Sequence, residues 1–90
     1  MIDRPPRPLP PMSAPGKRSV TIGGHRTSVS LEDGFWHELG RIARREGMTT
    51  AALIAAIDGV RPPQVGLATA LRLYVLEDLR QMLAAQDRAD

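Results

Sequence analysis

The sequence predicts a mainly α-helical protein with a short N-terminal β-ribbon and an added C-terminal helix. Three observations predict this fold class. Polar and apolar residues alternate over residues 26–31, apolar residues then recur at helical spacing in three later segments, and glycine or proline ends the first two of these segments. Only 3% of the residues are aromatic, so the core must be aliphatic, which suits small helices that pack closely.

The alternating segment predicts a strand with two different faces. Its polar face carries Arg26, Ser28 and Ser30. Its apolar face carries Thr27, Val29 and Leu31. A lone strand of this kind needs a partner, which is either a second copy of the chain or residues 18–22, which precede the turn-forming pair Gly23-Gly24. A two-stranded ribbon fits the DNA major groove. If each subunit of a dimer added residues 18–22 as an extra strand, the sheet would have four strands and would fit the groove less well.

Three helices are predicted from the apolar spacing. The first covers residues 32–46 and ends at Gly47, the second covers residues 50–59 with Thr49 as its N-cap, and the third covers residues 67–86. The third helix is apolar over so much of its surface that we expect burial on more than one side. A second subunit is the expected cover.

Ninety residues allow one domain. Residues 1–16 contain six prolines and are predicted to be a disordered basic tail, residues 17–86 the folded domain, and residues 87–90 a frayed end. The chain has no cysteine and its two histidines lack the spacing of a metal site, so we expect neither a metal nor a cofactor. Because the sequence shows no signal peptide and no membrane-spanning apolar run, we expect a cytoplasmic protein.

Positive charge is concentrated in the first third of the chain. Residues 1–30 carry five basic side chains and one acidic one, a net charge of +4, whereas residues 31–90 carry seven and nine, a net charge of −2. A basic segment beside the predicted ribbon favours a polyanionic partner. Lys17 and Arg18 lie in this segment and are therefore predicted to contact DNA phosphates. A basic tail that only keeps the protein soluble is the alternative.

The order of strand, helix, glycine turn and helix resembles the ribbon-helix-helix superfamily. The resemblance rests on residues 26–31, Leu39, Ile42, Ala43, residues 45–49, Leu53 and Ile54. A fuller pattern resembles a bacterial ribbon-helix-helix subfamily of small, largely uncharacterised proteins. That pattern comprises residues 17–22, 25–32, 35–36, 53–58 and 70–77.

The resemblance implies a homodimer whose strands pair antiparallel between the subunits and whose core contains four helices. Association of dimers into a higher oligomer is left open. Arg26, Ser28 and Ser30 would then read base edges in the major groove of double-stranded DNA. The backbone at Thr49 and Thr50 would bind a phosphate. The dimer core is expected to contain Val29, Leu31, Trp36, Leu39, Ile42, Leu53, Ile54 and Ile57.

The predicted function is sequence-specific DNA binding by a transcriptional regulator. The alternative is a protein-interaction or scaffolding dimer, including an antitoxin-like protein. In that case a protein partner binds the proline-rich tail or the third helix between Leu67 and Leu83. We do not expect catalysis. Glu77 and Asp78 are neighbouring carboxylates, but neighbours on a helix point about 100° apart, so these two do not form a catalytic acid/base pair.

Overall fold

The structure is a computed structural model, and it describes residues 3–88. Two strands are followed by three helices. They are β1 (Gly16–Ile22), β2 (His25–Leu31), α1 (Asp33–Arg45), α2 (Thr50–Val60) and α3 (Leu67–Arg88). This order confirms the predicted fold class, and the helix boundaries differ from the predicted ones by at most two residues.

The partner strand of β2 is β1 of the same chain. The two strands pair antiparallel, from Gly16 opposite Leu31 to Ile22 opposite His25. The two-residue turn between them needs positive φ at both positions, and Gly23 and Gly24 adopt φ of 57° and 82°. The hairpin is therefore formed within one chain. Pairing of the outer edge of β2 with a second copy stays a prediction.

The helices begin and end at residues with local reasons to do so. Gly47 has a φ of 70° and follows the last turn of α1, as expected for a glycine stop. Thr49 is confirmed as the N-cap of α2, because its side chain accepts a hydrogen bond from the backbone N–H of Ala52 at 3.0 Å. The N-cap of α1, Glu32, makes no such bond with its side chain.

The start of α1 is capped instead by the segment that precedes the hairpin. The Oγ of Ser13 accepts a hydrogen bond from the backbone N–H of Asp33 at 3.0 Å. Residues 3–15 form no regular helix or strand and are exposed. Residues 1, 2, 89 and 90 of the predicted tail and frayed end lie outside the described residues, and the division at residues 1–16, 17–86 and 87–90 stays a prediction.

The core lies between the hairpin and the three helices. β1 packs against α2, β2 packs against α3, and α1 contacts both of the other helices. The buried apolar residues are Val20, Val29, Leu31, Trp36, Leu39, Ile42, Ala43, Leu53, Ile54, Ile57, Leu71 and Val75. All eight residues predicted for a dimer core belong to this set, with at most 6% of each exposed in a single chain. Their burial therefore needs no second subunit, and their place at a subunit interface stays a prediction.

The third helix is buried on one side only within the chain. Leu71 and Val75 are its buried residues, and every residue from 79 to 88 is exposed. Asp78 ties the middle of α3 to α1 through two arginines, with its carboxylate 2.8 Å from Arg41 Nη2 and 2.6 Å from Arg45 Nη2. That a second subunit covers the other side of α3 stays a prediction.

Candidate nucleic-acid interface

The outward face of the hairpin is entirely polar. Residues directly opposite each other in an antiparallel pair point to the same face. The register therefore aligns three polar pairs on the side away from the core: Lys17 with Ser30, Ser19 with Ser28, and Thr21 with Arg26. We call these six residues the polar face. Five of them are exposed and Ser30 is half-buried.

The structure brings the predicted base-reading residues together and adds two more. Arg26, Ser28 and Ser30 lie on one face, as the alternation predicts. Their role in reading DNA bases stays a prediction. Ser19 and Thr21 were not singled out from the sequence. The Gly23-Gly24 pair could have indicated them, because a two-residue turn between β1 and β2 sets every cross-strand pair.

The polar face carries positive charge without a compensating acid. Residues 16–31 contain no aspartate or glutamate. Within residues 3–88 the ion pairs involve Arg41, Arg45, Arg61 and Arg72, and neither Lys17 nor Arg26 takes part in one. Both cations are therefore available to bind an external anion or a base edge.

The side chain of Arg18 lies on the other face of β1 from that of Lys17. Its cross-strand partner is the buried Val29. Its guanidinium carbon is 4.7 Å from the centroid of the Trp36 ring, a favourable cation–π distance. The indole Nε1 of Trp36 in turn donates a hydrogen bond to the carbonyl oxygen of Gly16 at 3.0 Å. Trp36 thus holds the beginning of β1, and the two predicted phosphate contacts, Lys17 and Arg18, project to different sides.

The N-terminus of α2 lies beside Arg18. A cleft of about 210 Å³ is lined by Arg18, Ser19, Val20, Trp36, Thr50, Ala51 and Ile54. The side chain of Thr49 is used in capping, which leaves the backbone N–H groups of Thr50 and Ala51 without an intrahelical partner. These two donors and the Arg18 guanidinium form a set that can bind a phosphate oxygen.

Comparison with known proteins identifies the family. Residues 15–79 match a family model described as a ribbon-helix-helix domain, which is more than half of the chain. The chain belongs to the ribbon-helix-helix family. Domains of this family commonly bind DNA as transcriptional regulators, typically form dimers and are typically not enzymes. The match ends at Leu79, so the last residues of α3 lie beyond it.

A solved structure shows a similar ribbon-helix-helix fold. It is that of an uncharacterized protein from Bordetella pertussis Tohama I, with 34% sequence identity and a TM-score of 0.66. The similarity covers 83% of this chain and 62% of that chain, so this chain spans less than two thirds of the solved protein. No curated protein matches the chain.

The glutamate that follows the ribbon is paired with an arginine of α3. Glu32 directly follows β2, and its carboxylate accepts hydrogen bonds from Arg72 at 3.0 and 3.2 Å. The hydrogen bond from Arg72 lowers the pKa of Glu32 below its ordinary value. The negative charge of Glu32 is therefore paired, which reduces its repulsion of a nucleic acid.

Two further structural findings concern residues 3–88. In this part of the chain, no group of three or more His, Cys, Asp or Glu residues is placed to hold a metal ion. None of its helices combines the length and apolar character that crossing a membrane requires.

Proposed function

We propose that this ribbon-helix-helix protein is a sequence-specific DNA-binding regulator that inserts its β1–β2 hairpin into the major groove. The observation that carries the proposal is the polar face, where three cross-strand pairs supply two cations and four hydroxyl groups with no acidic residue. Hydroxyl groups both donate and accept hydrogen bonds, and arginine suits the two acceptors of guanine. The face thus has the chemistry that base-edge recognition needs.

The dimensions of the hairpin fit this role. The major groove admits a two-stranded ribbon, and the hairpin provides both strands from one chain. From Arg26 to Ser30 the polar face extends over roughly 14 Å, at about 3.4 Å per residue. This length equals about four base-pair steps of B-DNA. Each copy of the protein would therefore read a short half-site with its own ribbon, and a homodimer would read two such half-sites.

The proposal assigns separate roles to the two sides of β1. Arg26, Ser28 and Ser30, joined by Ser19 and Thr21, contact bases. Lys17, at the end of the polar face, contacts the DNA phosphate backbone. On the other side of β1, Arg18 and the backbone N–H groups of Thr50 and Ala51 hold one phosphate and so fix the depth of the ribbon in the groove.

The test is selection from a random duplex pool, carried out with the wild-type protein and with Arg26→Ala at about 50 and 200 mM salt. The wild type is expected to enrich a motif. Arg26→Ala is expected to lose roughly 1–3 kcal/mol of affinity for it, about 5- to 150-fold, together with the preference at one base pair.

Arg44→Ala is the matched control, because Arg44 is an exposed arginine of α1 that takes part in no ion pair among the described residues. It is expected to enrich the wild-type motif. Equal affinity and equal base preference for the wild type and Arg26→Ala would overturn the assignment of the polar face. The alternative function, a protein-interaction dimer through the third helix or the proline-rich tail, stays a prediction, as does a cytoplasmic location.

A further inference from the structure

An apolar groove lies between α1 and α3, beside the segment that precedes the hairpin. The helices line it with Phe35 of α1 and with Val75 and Leu79 of α3, and residues 10–13 line it as well. Its volume is about 310 Å³. One water molecule needs only about 10–15 Å³ of such space, so the groove is far larger than a packing defect. It leaves apolar side chains accessible to solvent, and covering them is favourable.

The acidic residues that line the groove are already paired. The carboxylate of Glu32 is 3.0 Å from Arg72 Nε, and the carboxylate of Glu38 is 2.6 Å from Arg41 Nε. A charged ligand would therefore have to compete with an arginine of the same chain for either carboxylate. An apolar side chain meets no such competition, because it binds only to the apolar part of the lining.

The segment that lines the groove carries apolar side chains of its own. Leu9 and Met12 are 61% and 69% exposed. The prolines at positions 8, 10 and 11 favour a polyproline II backbone, which has three residues per turn, so Leu9 and Met12 share one side of the segment. Met12 lines the groove, and its unbranched side chain has three rotatable bonds, which suits it to fill an irregular gap.

The backbone next to Met12 is fixed to the folded domain. The Oγ of Ser13 accepts a hydrogen bond from the backbone N–H of Asp33 at 3.0 Å, and the carbonyl oxygen of Gly16 accepts one from the indole of Trp36 at 3.0 Å. These contacts hold Met12 beside the groove. Its side chain therefore loses less entropy on entering the groove than a separate molecule would lose.

We propose that residues 8–13 form a strap that closes over this groove within the same chain, with Met12 packed against Phe35, Val75 and Leu79. The closed strap joins α1 to α3 beside the first residue of β1. The proposal goes beyond the proposed function, because closure requires no DNA. Met12 is 69% exposed in the structure and becomes largely buried on closure, so its accessibility distinguishes the two positions.

The experiment measures how fast hydrogen peroxide oxidises Met12 to the sulfoxide in the full chain, followed by peptide mass spectrometry. The reference is the rate in the same chain unfolded in urea. Met12 is expected to be oxidised about tenfold more slowly in the folded wild type, whereas a side chain that stays open would differ by less than about twofold. Met82, which is 47% exposed, is read in the same sample and reports the activity of the peroxide.

A substitution in the groove tests where Met12 is protected. Leu79→Ser removes an apolar side chain from the lining and is expected to bring Met12 to within about twofold of its rate in the unfolded chain. Leu73→Ser is the matched control, because Leu73 is 56% exposed on the same helix and lies outside the groove. It is expected to leave Met12 slow, and circular dichroism checks that both variants keep their helices.

A second pair of variants tests the strap without changing the helices. Glycine at both Pro10 and Pro11 makes the strap more flexible and is expected to speed oxidation of Met12 by about threefold or more. Glycine at both Pro5 and Pro6, which lie outside the groove, is the matched control and is expected to leave the rate unchanged.

Three results would overturn the proposal. The first is a wild-type Met12 that is oxidised as fast as in the unfolded chain. The second is a Leu79→Ser variant in which Met12 stays slow, since Met12 would then be protected elsewhere. The third is protection that appears only as the protein concentration rises, because a second copy would then be the cover. None of these outcomes depends on whether the hairpin reads DNA.

Discussion

Replacing Asp78 by asparagine tests the link between α1 and α3. The Asp78 side chain is only 10% exposed and receives three hydrogen bonds, at 2.8 Å from Arg41 Nη2 and at 2.6 and 3.3 Å from Arg45 Nη2 and Nη1. Asparagine keeps the size of the side chain, removes its charge and turns one acceptor into a donor that faces the arginines. The substitution therefore isolates the electrostatic part of the contact.

The magnitude follows from the exposure of the two arginines. Hydrogen bonds to charged groups stabilise by about 1.5–3 kcal/mol when they are well buried, whereas exposed ion pairs stabilise by about 0.2–1 kcal/mol. Arg41 and Arg45 are partly exposed, and each has a second acidic partner, Glu38 and Glu46. We therefore expect Asp78→Asn to lower the free energy of unfolding by about 1–2 kcal/mol, which corresponds to a fall in Tm of roughly 4–16 °C.

The pH dependence provides an independent check of the same contact. Hydrogen bonding to Arg45, and then to Arg41, lowers the pKa of Asp78 below its ordinary value of 3.8. The stabilisation is therefore complete above this value and is lost as the pH falls through the lower pKa of the folded state. The difference in Tm between wild type and Asp78→Asn should be constant from pH 7 to about 5 and should shrink below about pH 4.

The assay is thermal and urea unfolding followed by circular dichroism. Glu46→Gln is the matched control, because it also removes an acidic partner of Arg45 but at an exposed position, and it should leave Tm unchanged. The reasoning is refuted if Asp78→Asn is as stable as the wild type at pH 7. A difference in Tm that persists undiminished at pH 3 would also refute it, since the contact would then not depend on the ionised carboxylate.

Two further substitutions test how the N-terminal part of the chain is held. Trp36→Phe removes the hydrogen bond to the Gly16 carbonyl and weakens the contact with Arg18, so urea unfolding should show a loss of about 1–2 kcal/mol; an unchanged midpoint would contradict the role of the indole N–H. Ser13→Ala removes the cap of α1 and should cost about 0.5–1 kcal/mol by the same method, whereas no change would indicate that the cap does not contribute in solution.

Local sequence patterns were sufficient for the fold class, because strand alternation, helical spacing and glycine stops act over a few residues. Gly47 and Thr49 are at the predicted ends of α1 and α2 for this reason. The pairing of β2 was left open, because its alternation is compatible with a partner strand from either source. The positive φ values of Gly23 and Gly24 and the pairing with β1 place that partner in the same chain.

The contacts that the sequence did not reveal join residues far apart along the chain. Ser13 caps a helix that starts 20 residues later, and Asp78 binds arginines 33 and 37 residues before it. Such pairs depend on how the elements pack, and a carboxylate on a helix surface looks the same in the sequence whether it is solvated or paired. Ser19 and Thr21 of the polar face were missed for a related reason, because they join it only through the register of the hairpin.

Trp36 also gives the protein a built-in optical reporter. It is the only tryptophan of the chain, it is 6% exposed, and it contacts both Gly16 and Arg18 at the start of the hairpin. Its fluorescence therefore originates from one defined place, where the hairpin meets α1 and the cleft beside α2. Detachment of the hairpin would move the emission to longer wavelength, and an anion that draws Arg18 away from the ring would change the intensity while the wavelength stays the same. Unfolding and ligand binding can thus be followed separately in the unlabelled protein.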